Sequence, residues 1–193
     1  NAGLLAVAMD RVDDAVAAYR NALARKPDHP TAWNNLGLAL TQRNNLDGAI
    51  DAFRRAIDIK AQFAEAHWNL ALALLARGDF AEGWREYDAR LALPTLSGNE
   101  RRVQGQRYTG EPLQGRTLLL TAEQGLGDTL QFIRFARDFA ARGARVIAQV
   151  QAPLAKLCGS VPGVAAVIAS SDNLPAFDYQ LPLLSVGTVL PPA

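Results

Sequence analysis

Thr117-Leu-Leu-Leu-Thr-Ala-Glu-Gln-Gly-Leu-Gly-Asp-Thr-Leu-Gln-Phe132 joins a short apolar run to a glycine loop and then to an amphipathic pattern. Leu118, Leu119 and Leu120 offer no polar face, which predicts a strand buried on both sides, as in a parallel sheet. Gly125 and Gly127 predict a tight turn with close backbone approach. Asp128 and Thr129 are helix-start residues, and Phe132, Ile133, Phe135, Ala136 and Phe139 then recur at helical spacing. A strand, loop and helix in this order place a functional loop at the carboxyl end of a parallel strand.

Downstream, the alternation continues. Gly143 introduces a strand at 144–150, Pro153 to Leu157 reads as a short helix, Val164 to Ala169 as a third strand and Phe177 to Leu181 as a fourth. Leu183 to Leu190 reads as a short helix or turn. Strands alternating with helical segments predict a parallel sheet of the doubly wound kind. Residues 117–193 hold about half of such a sheet, so we expect an incomplete Rossmann-like α/β domain. Residues 94–116 read as a linker: Pro94 ends a helix, Arg101, Arg102, Arg107 and Arg116 make the stretch basic, and Tyr108 opens a segment that docks before the first strand.

Upstream, residues 1–93 repeat with a step of 34. Gly3, Gly37 and Ala71 form one series; Ala15, Ala49 and Gly83 a second; Tyr19, Phe53 and Tyr87 a third. Ala22 and Ala56 form a fourth that Arg90 breaks. Small residues let two helices approach closely, and the aromatic fills the gap to the next unit. Each helical hairpin cannot bury its apolar face alone, so the hairpins stack. The pattern predicts helices over 1–9, 12–25, 31–43, 46–59, 64–77 and 80–92, and it resembles the tetratricopeptide repeat. About three repeats are expected, the first incomplete. Trp33 and Trp84 read as packing residues, whereas Trp68 is placed to face a groove.

Asn1, Asn35 and Asn69 also lie 34 apart. Asparagine is a mediocre helix former, so its recurrence asks for a reason. A row of amides on the concave face can bond both ways to the backbone of an extended peptide. This resembles the asparagine ladder in the repeats of protein O-GlcNAc transferases. The plainer alternative is that these side chains bridge adjacent helices or face water.

The bulk numbers exclude several classes. Twenty basic and nineteen acidic residues leave a net charge of +1, with neither half far from neutral, which gives no reason to expect nucleic acid or an anionic membrane as partner. Cys158 is the only cysteine, so an internal disulfide is impossible and a reducing, cytoplasmic compartment is expected. Two histidines and one cysteine cannot assemble a His/Cys metal site. No apolar run approaches transmembrane length. The chain opens at Asn1 inside an ongoing pattern, and we expect it to be a fragment of a longer protein.

The glycine loop is not a familiar nucleotide site. Leu130 stands where the third glycine of a dinucleotide fingerprint belongs, and Val150-Gln151 ends the second strand without a ribose-binding carboxylate. No Gly-Lys-Ser/Thr ending is present for a P-loop. No cofactor is expected. Ala122-Glu-Gln-Gly-Leu-Gly-Asp-Thr-Leu-Gln-Phe132, preceded by Gly83-Trp84, Tyr87 and Arg90 and by Tyr108-Thr-Gly-Glu-Pro-Leu-Gln-Gly-Arg116, resembles bacterial glycosyltransferases related to the ADP-heptose:lipopolysaccharide heptosyltransferases. It is similar to the subgroup with amino-terminal tetratricopeptide repeats.

That resemblance implies the amino-terminal, acceptor-side half of a GT-B fold, with a nucleotide-sugar held in a carboxyl-terminal half outside this chain. It implies an inverting transfer to a protein or glycan acceptor, with Asp128 as the base that deprotonates the acceptor hydroxyl. Glu123 and Gln124 would orient the acceptor, and Gly125, Gly127 and Thr129 would shape the loop. The chain alone would be inactive. The competing expectation is a non-enzymatic tetratricopeptide adaptor that binds a protein or peptide in the repeat groove. Asp128 on that view is only a helix cap.

Overall fold

The step of 34 translates into helical hairpins. The computed structural model describes residues 11–93, 103–169 and 173–190, which fall into two units, the first holding residues 11–93 and the second the rest. In the first unit the helices are α1 (Val12–Arg25), α2 (Pro30–Gln42), α3 (Leu46–Ile59), α4 (Ala64–Arg77) and α5 (Phe80–Tyr87). The helix expected over 1–9, with Asn1 and Gly3, lies outside the described residues.

Local signals explain the boundaries. Pro30 opens α2 at a position where its missing N–H costs nothing. The Asn45 side chain accepts a hydrogen bond from Gly48 N (3.1 Å) and caps α3. Gly78 closes α4 with φ +99°, the left-handed conformation that favours glycine. The helix expected over 80–92 is shorter: α5 stops at Tyr87 and a 3₁₀ turn carries Asp88–Ala92. Arg90, standing where the earlier copy has Ala56, is fully buried there. Its guanidinium donates to the Asp88 carboxylate (2.8 Å) and lies over the Tyr87 ring.

The repeated small residues sit at helix crossings. Ala15 and Ala49 are wholly buried, Gly37 faces the Phe53 ring, and Gly83 faces Leu75. Tyr19 and Phe53 fill the core between hairpins, while Tyr87 is only half-buried. Trp33 packs against this core and donates from Nε1 to the Pro27 carbonyl (2.7 Å), yet stays half-buried. Trp84 is also half-buried rather than interior, because it packs edge-on against Tyr87 (5.1 Å between centroids) near the surface.

The second unit is a small four-stranded parallel sheet with short helices. The strands are β1 (Thr117–Thr121), β2 (Arg145–Val150), β3 (Val164–Ala169) and β4 (Tyr179–Pro182), in the order β3-β2-β1-β4. Leu118, Leu119 and Leu120 have no exposed surface, as a strand covered on both faces requires. Leu119 lies opposite Ile147 on one side and Gln180 on the other. The segment read as a linker is ordered against this sheet from Gln106 onward. Arg107 bridges to Gln180, and Tyr108 is buried against Phe139 and Tyr179. The basic residues Arg101 and Arg102 lie outside the described residues.

After β1 comes α6 (Leu126–Phe132), then a 3₁₀ turn at Ile133–Phe135 and α7 (Ala136–Ala141), so the expected single helix is interrupted. α6 begins two residues before Asp128, with Gly125 as its N-cap. A 3₁₀ turn at Ala152–Leu154 and α8 (Ala155–Cys158) link β2 to β3, and a turn at Leu183–Ser185 leads to α9 (Val186–Val189).

Candidate functional site

Two places hold the residues singled out by sequence. The first is the face shared by α2 and α4, the leading helices of successive repeats. Asn35 is half-buried on α2 and Asn69 half-buried on α4. Asn69 Nδ2 donates to Asn34 Oδ1 across the two helices (2.9 Å), and Asn34 is buried. This brace leaves Asn69 its carbonyl oxygen and a second N–H for another partner. The bridging alternative therefore describes one bond of Asn69 and leaves the rest of the amide uncommitted by it. Asn35 lies beside the buried Tyr19 hydroxyl without reaching direct hydrogen-bond geometry. Burial pushes the Tyr19 phenol above its ordinary value, an effect the neighbouring Asn35 opposes.

Trp68 also lies on α4, half-buried, with its ring 4.8 Å from that of Tyr87 on α5. His67 is anchored next to it. Its Nδ1 faces Glu86 Oε2 at 2.5 Å and its Nε2 faces the Ala61 carbonyl at 2.9 Å. Burial lowers the His67 pKa, but the Glu86 and Ala61 acceptors outweigh it and raise the value overall. Sequence reasoning missed Leu38 and Leu72, both exposed on this pair of helices. The step of 34 that links Asn35 to Asn69 also links these two leucines.

The second place is the loop after β1. The sheet order puts β2 on one side of β1 and β4 on the other, so the chain reverses its winding at this strand end, where open α/β sheets leave a crevice. Glu123 spans that point and accepts a hydrogen bond from Leu184 N (3.3 Å). The Gln124 carbonyl accepts from Gln151 Nε2 (2.8 Å), while Gln124 Nε2 is buried without a hydrogen-bond partner. Thr129 is buried and donates from Oγ1 to Gln151 Oε1 (2.9 Å). Gln151, which sequence reasoning used only as negative evidence, thus ties the loop to the end of β2.

Asp128 is the third residue of α6, and its carboxylate accepts from Gly125 N (3.1 Å). That bond satisfies an otherwise orphaned amide at the helix start. The glycines do not have the expected conformational role. Gly125 has φ −64°, and neither it nor Gly127 takes positive φ. A Cβ on Gly127 would meet nothing within 4 Å, and one on Gly125 would meet only Asp128 Oδ2 at 3.4 Å. Cys158 is buried, and burial pushes its thiol up, which marks it as a core residue rather than a nucleophile.

Comparison with known proteins bears on the first unit. The tetratricopeptide repeat family matches residues 1–62. Protein FlbA of Caulobacter vibrioides is 41% identical over 64 residues, a stretch that covers 33% of this chain and 11% of FlbA. The chain therefore matches only about a tenth of the length of that relative. Among solved structures, a crystal structure of MamA is 27% identical with a TM-score of 0.45, covering 47% of this chain and 53% of MamA. The TPR2B domain of yeast Sti1, solved as a complex with pHsp70, is 22% identical with a TM-score of 0.47, covering 51% of this chain and 82% of that one. The chain thus combines tetratricopeptide-like helical repeats with a small parallel sheet. Among the described residues no helix is long and apolar enough to cross a membrane.

Proposed function

We propose that the chain is a protein-interaction module whose α2–α4 face holds an extended peptide through the amides of Asn35 and Asn69. The observation that carries this reading is the recurrence of an asparagine at the same place on successive leading helices, with Asn69 braced from below by Asn34. Neighbouring helices pack roughly 8–10 Å apart, which an extended chain covers in about three residues. Each amide can then serve one peptide unit. The test uses peptides selected on this chain from a displayed random library. Losing two amide contacts at about 0.5–1.5 kcal/mol each should weaken binding by about 5- to 150-fold in Asn35→Ala/Asn69→Ala. Unchanged affinity would sink the reading.

A second reading is favoured by the loop after β1. Its glycines are not required by the chain's own packing or backbone, and glycine also serves where a ligand approaches a backbone closely. On this reading the sheet unit is the Rossmann-like, acceptor-side half of a GT-B glycosyltransferase. Asp128 is its base, Glu123 and Gln124 orient the acceptor, and the nucleotide-sugar sits in a carboxyl-terminal half. Asp128→Asn keeps an acceptor for the Gly125 amide while removing the base. In a protein that includes the donor half, turnover should then fall about 10²- to 10⁴-fold; a kcat within twofold of the parent would remove Asp128 from catalysis.

A further inference from the structure

We infer that the peptide held by the α2–α4 face is uncharged, with apolar side chains three residues apart, read by Leu38 and Leu72. The inference rests on the groove reading above and names its ligand. Leu38 and Leu72 are 42% and 44% exposed, whereas Leu36, Leu40, Leu70 and Leu74 on the same two helices are buried. Each lies three residues after the asparagine of its helix, hence on the same face and about one turn further along. Asn35 and Asn69 would engage the peptide backbone, while Leu38 and Leu72 would meet its side chains.

Charge decides between kinds of peptide. α2 carries no ionisable side chain over its whole length. On α4 the only groups that could be cationic are His67 and Arg77. His67 is directed at Glu86 and Ala61, and Arg77 is paired with Asp47 and Asp79. Glu65, exposed at the start of α4, adds negative charge. A carboxylate laid on this face would shed part of its water and gain no cation from either helix, which is unfavourable. Nor does the face carry the row of carboxylates that a basic peptide would need.

Spacing narrows the conformation. Side chains of a β-strand alternate, so residues three apart point to opposite sides. A polyproline II chain has three residues per turn and about 3.1 Å rise, so residues i and i+3 share a side about 9 Å apart. That span matches the distance between packed helices.

The test selects dodecapeptides from a displayed random library on the whole 193-residue chain and measures synthetic winners by fluorescence anisotropy. We expect low-charge sequences with apolar residues at i and i+3, bound with little dependence on salt. Covering two half-exposed leucines predicts about 5-fold weaker binding for each Leu→Ser change, and about 25-fold for Leu38→Ser/Leu72→Ser. Both positions are exposed, and circular dichroism checks that the variant keeps its helices. Winners that depend on Asn35 and Asn69 but are rich in Asp, Glu, Lys or Arg would overturn the inference and leave the groove standing. Winners indifferent to Asn35→Ala/Asn69→Ala, or no winners, would remove the groove and the inference with it. Self-association of the chain that Leu38→Ser/Leu72→Ser abolishes and winning peptides fail to compete would show a second copy on this face, and would likewise overturn the proposal.

Discussion

Replacing Gly37 with alanine sets helix propensity directly against packing. Gly37 lies inside α2, where alanine is favoured over glycine by about 1 kcal/mol. Its neighbour across the hairpin is the Phe53 ring of α3, which is 1% exposed and has nowhere to swing. A Cβ built on Gly37 would sit 2.6 Å from Phe53 Cδ1 and 2.8 Å from Cζ, with Cε1 nearer still. Carbon atoms pack at about 3.5–4.0 Å, so the ring or the whole of α3 must retreat by about 1 Å. Overpacking of this kind costs about 1–3 kcal/mol. Packing therefore wins, and the net destabilisation should be about 1 kcal/mol. In a unit of this size that lowers Tm by about 4–8 °C. Thermal unfolding followed by far-UV circular dichroism reads it. Gly127→Ala is the control, since a Cβ there meets nothing within 4 Å and the φ is not positive; it should be neutral or slightly stabilising. Phe53→Leu should cost less in the Gly37→Ala background than alone, because it vacates the space the new methyl needs. A Gly37→Ala protein at or above the parental Tm would refute the close-approach account of the repeated small residues.

His67 should make the repeat unit pH-dependent. Both its ring nitrogens face acceptors, an arrangement only the doubly protonated ring satisfies, and its folded pKa is raised above 6.5. The stabilisation is thus fully present below about pH 6.5 and is lost as pH rises through the folded value. His67→Gln should flatten that part of the stability–pH profile measured by urea unfolding, and an unaltered slope would exclude His67 as its source. Gly163→Ala should destabilise the sheet unit by about 2–4 kcal/mol, from a left-handed backbone plus overpacking. Gly163 has φ +91°, and a Cβ there would lie 2.5 Å from Arg137 Cα. Hydrogen exchange at the Leu118–Leu120 amides should accelerate, and unchanged protection would contradict the assignment.

Much of the fold was legible because its signals are local. A strand without a polar face, such as Leu118–Leu120, must be covered on both sides, and the structure covers it. The step of 34 exposed the hairpins because successive copies meet the same close-approach problem with a small residue at the same site, Ala15 then Ala49, and fill the gap beside it with an aromatic, Tyr19 then Phe53. Boundaries were less legible where backbone replaced side chain. Gly125 caps α6 without a side chain of its own, so the helix begins before the Asp128 that marked it. Trp84 read as interior because a large aromatic in a repeat is usually packed, but it ends against a half-buried Tyr87.

The candidate sites divide in the same way. Asn35 and Asn69 were found by counting along the chain. The bond from Asn69 to Asn34 was not, because it joins residues 35 apart through the stacking of two hairpins. Gln151 reaches Thr129 across 22 residues and Glu123 reaches Leu184 across 61, and neither pairing has a local pattern. By itself the sequence determined the order of strands and helices along the sheet and the period on which helices stack, but not where a helix tightens into a 3₁₀ turn, since order and period follow from side-chain spacing within a few turns. Only the tertiary structure decided which amides are braced, which leucines stay in water and which strands flank β1. Those outcomes depend on where distant segments come to rest, and burial and hydrogen bonding between them are properties of the packed chain.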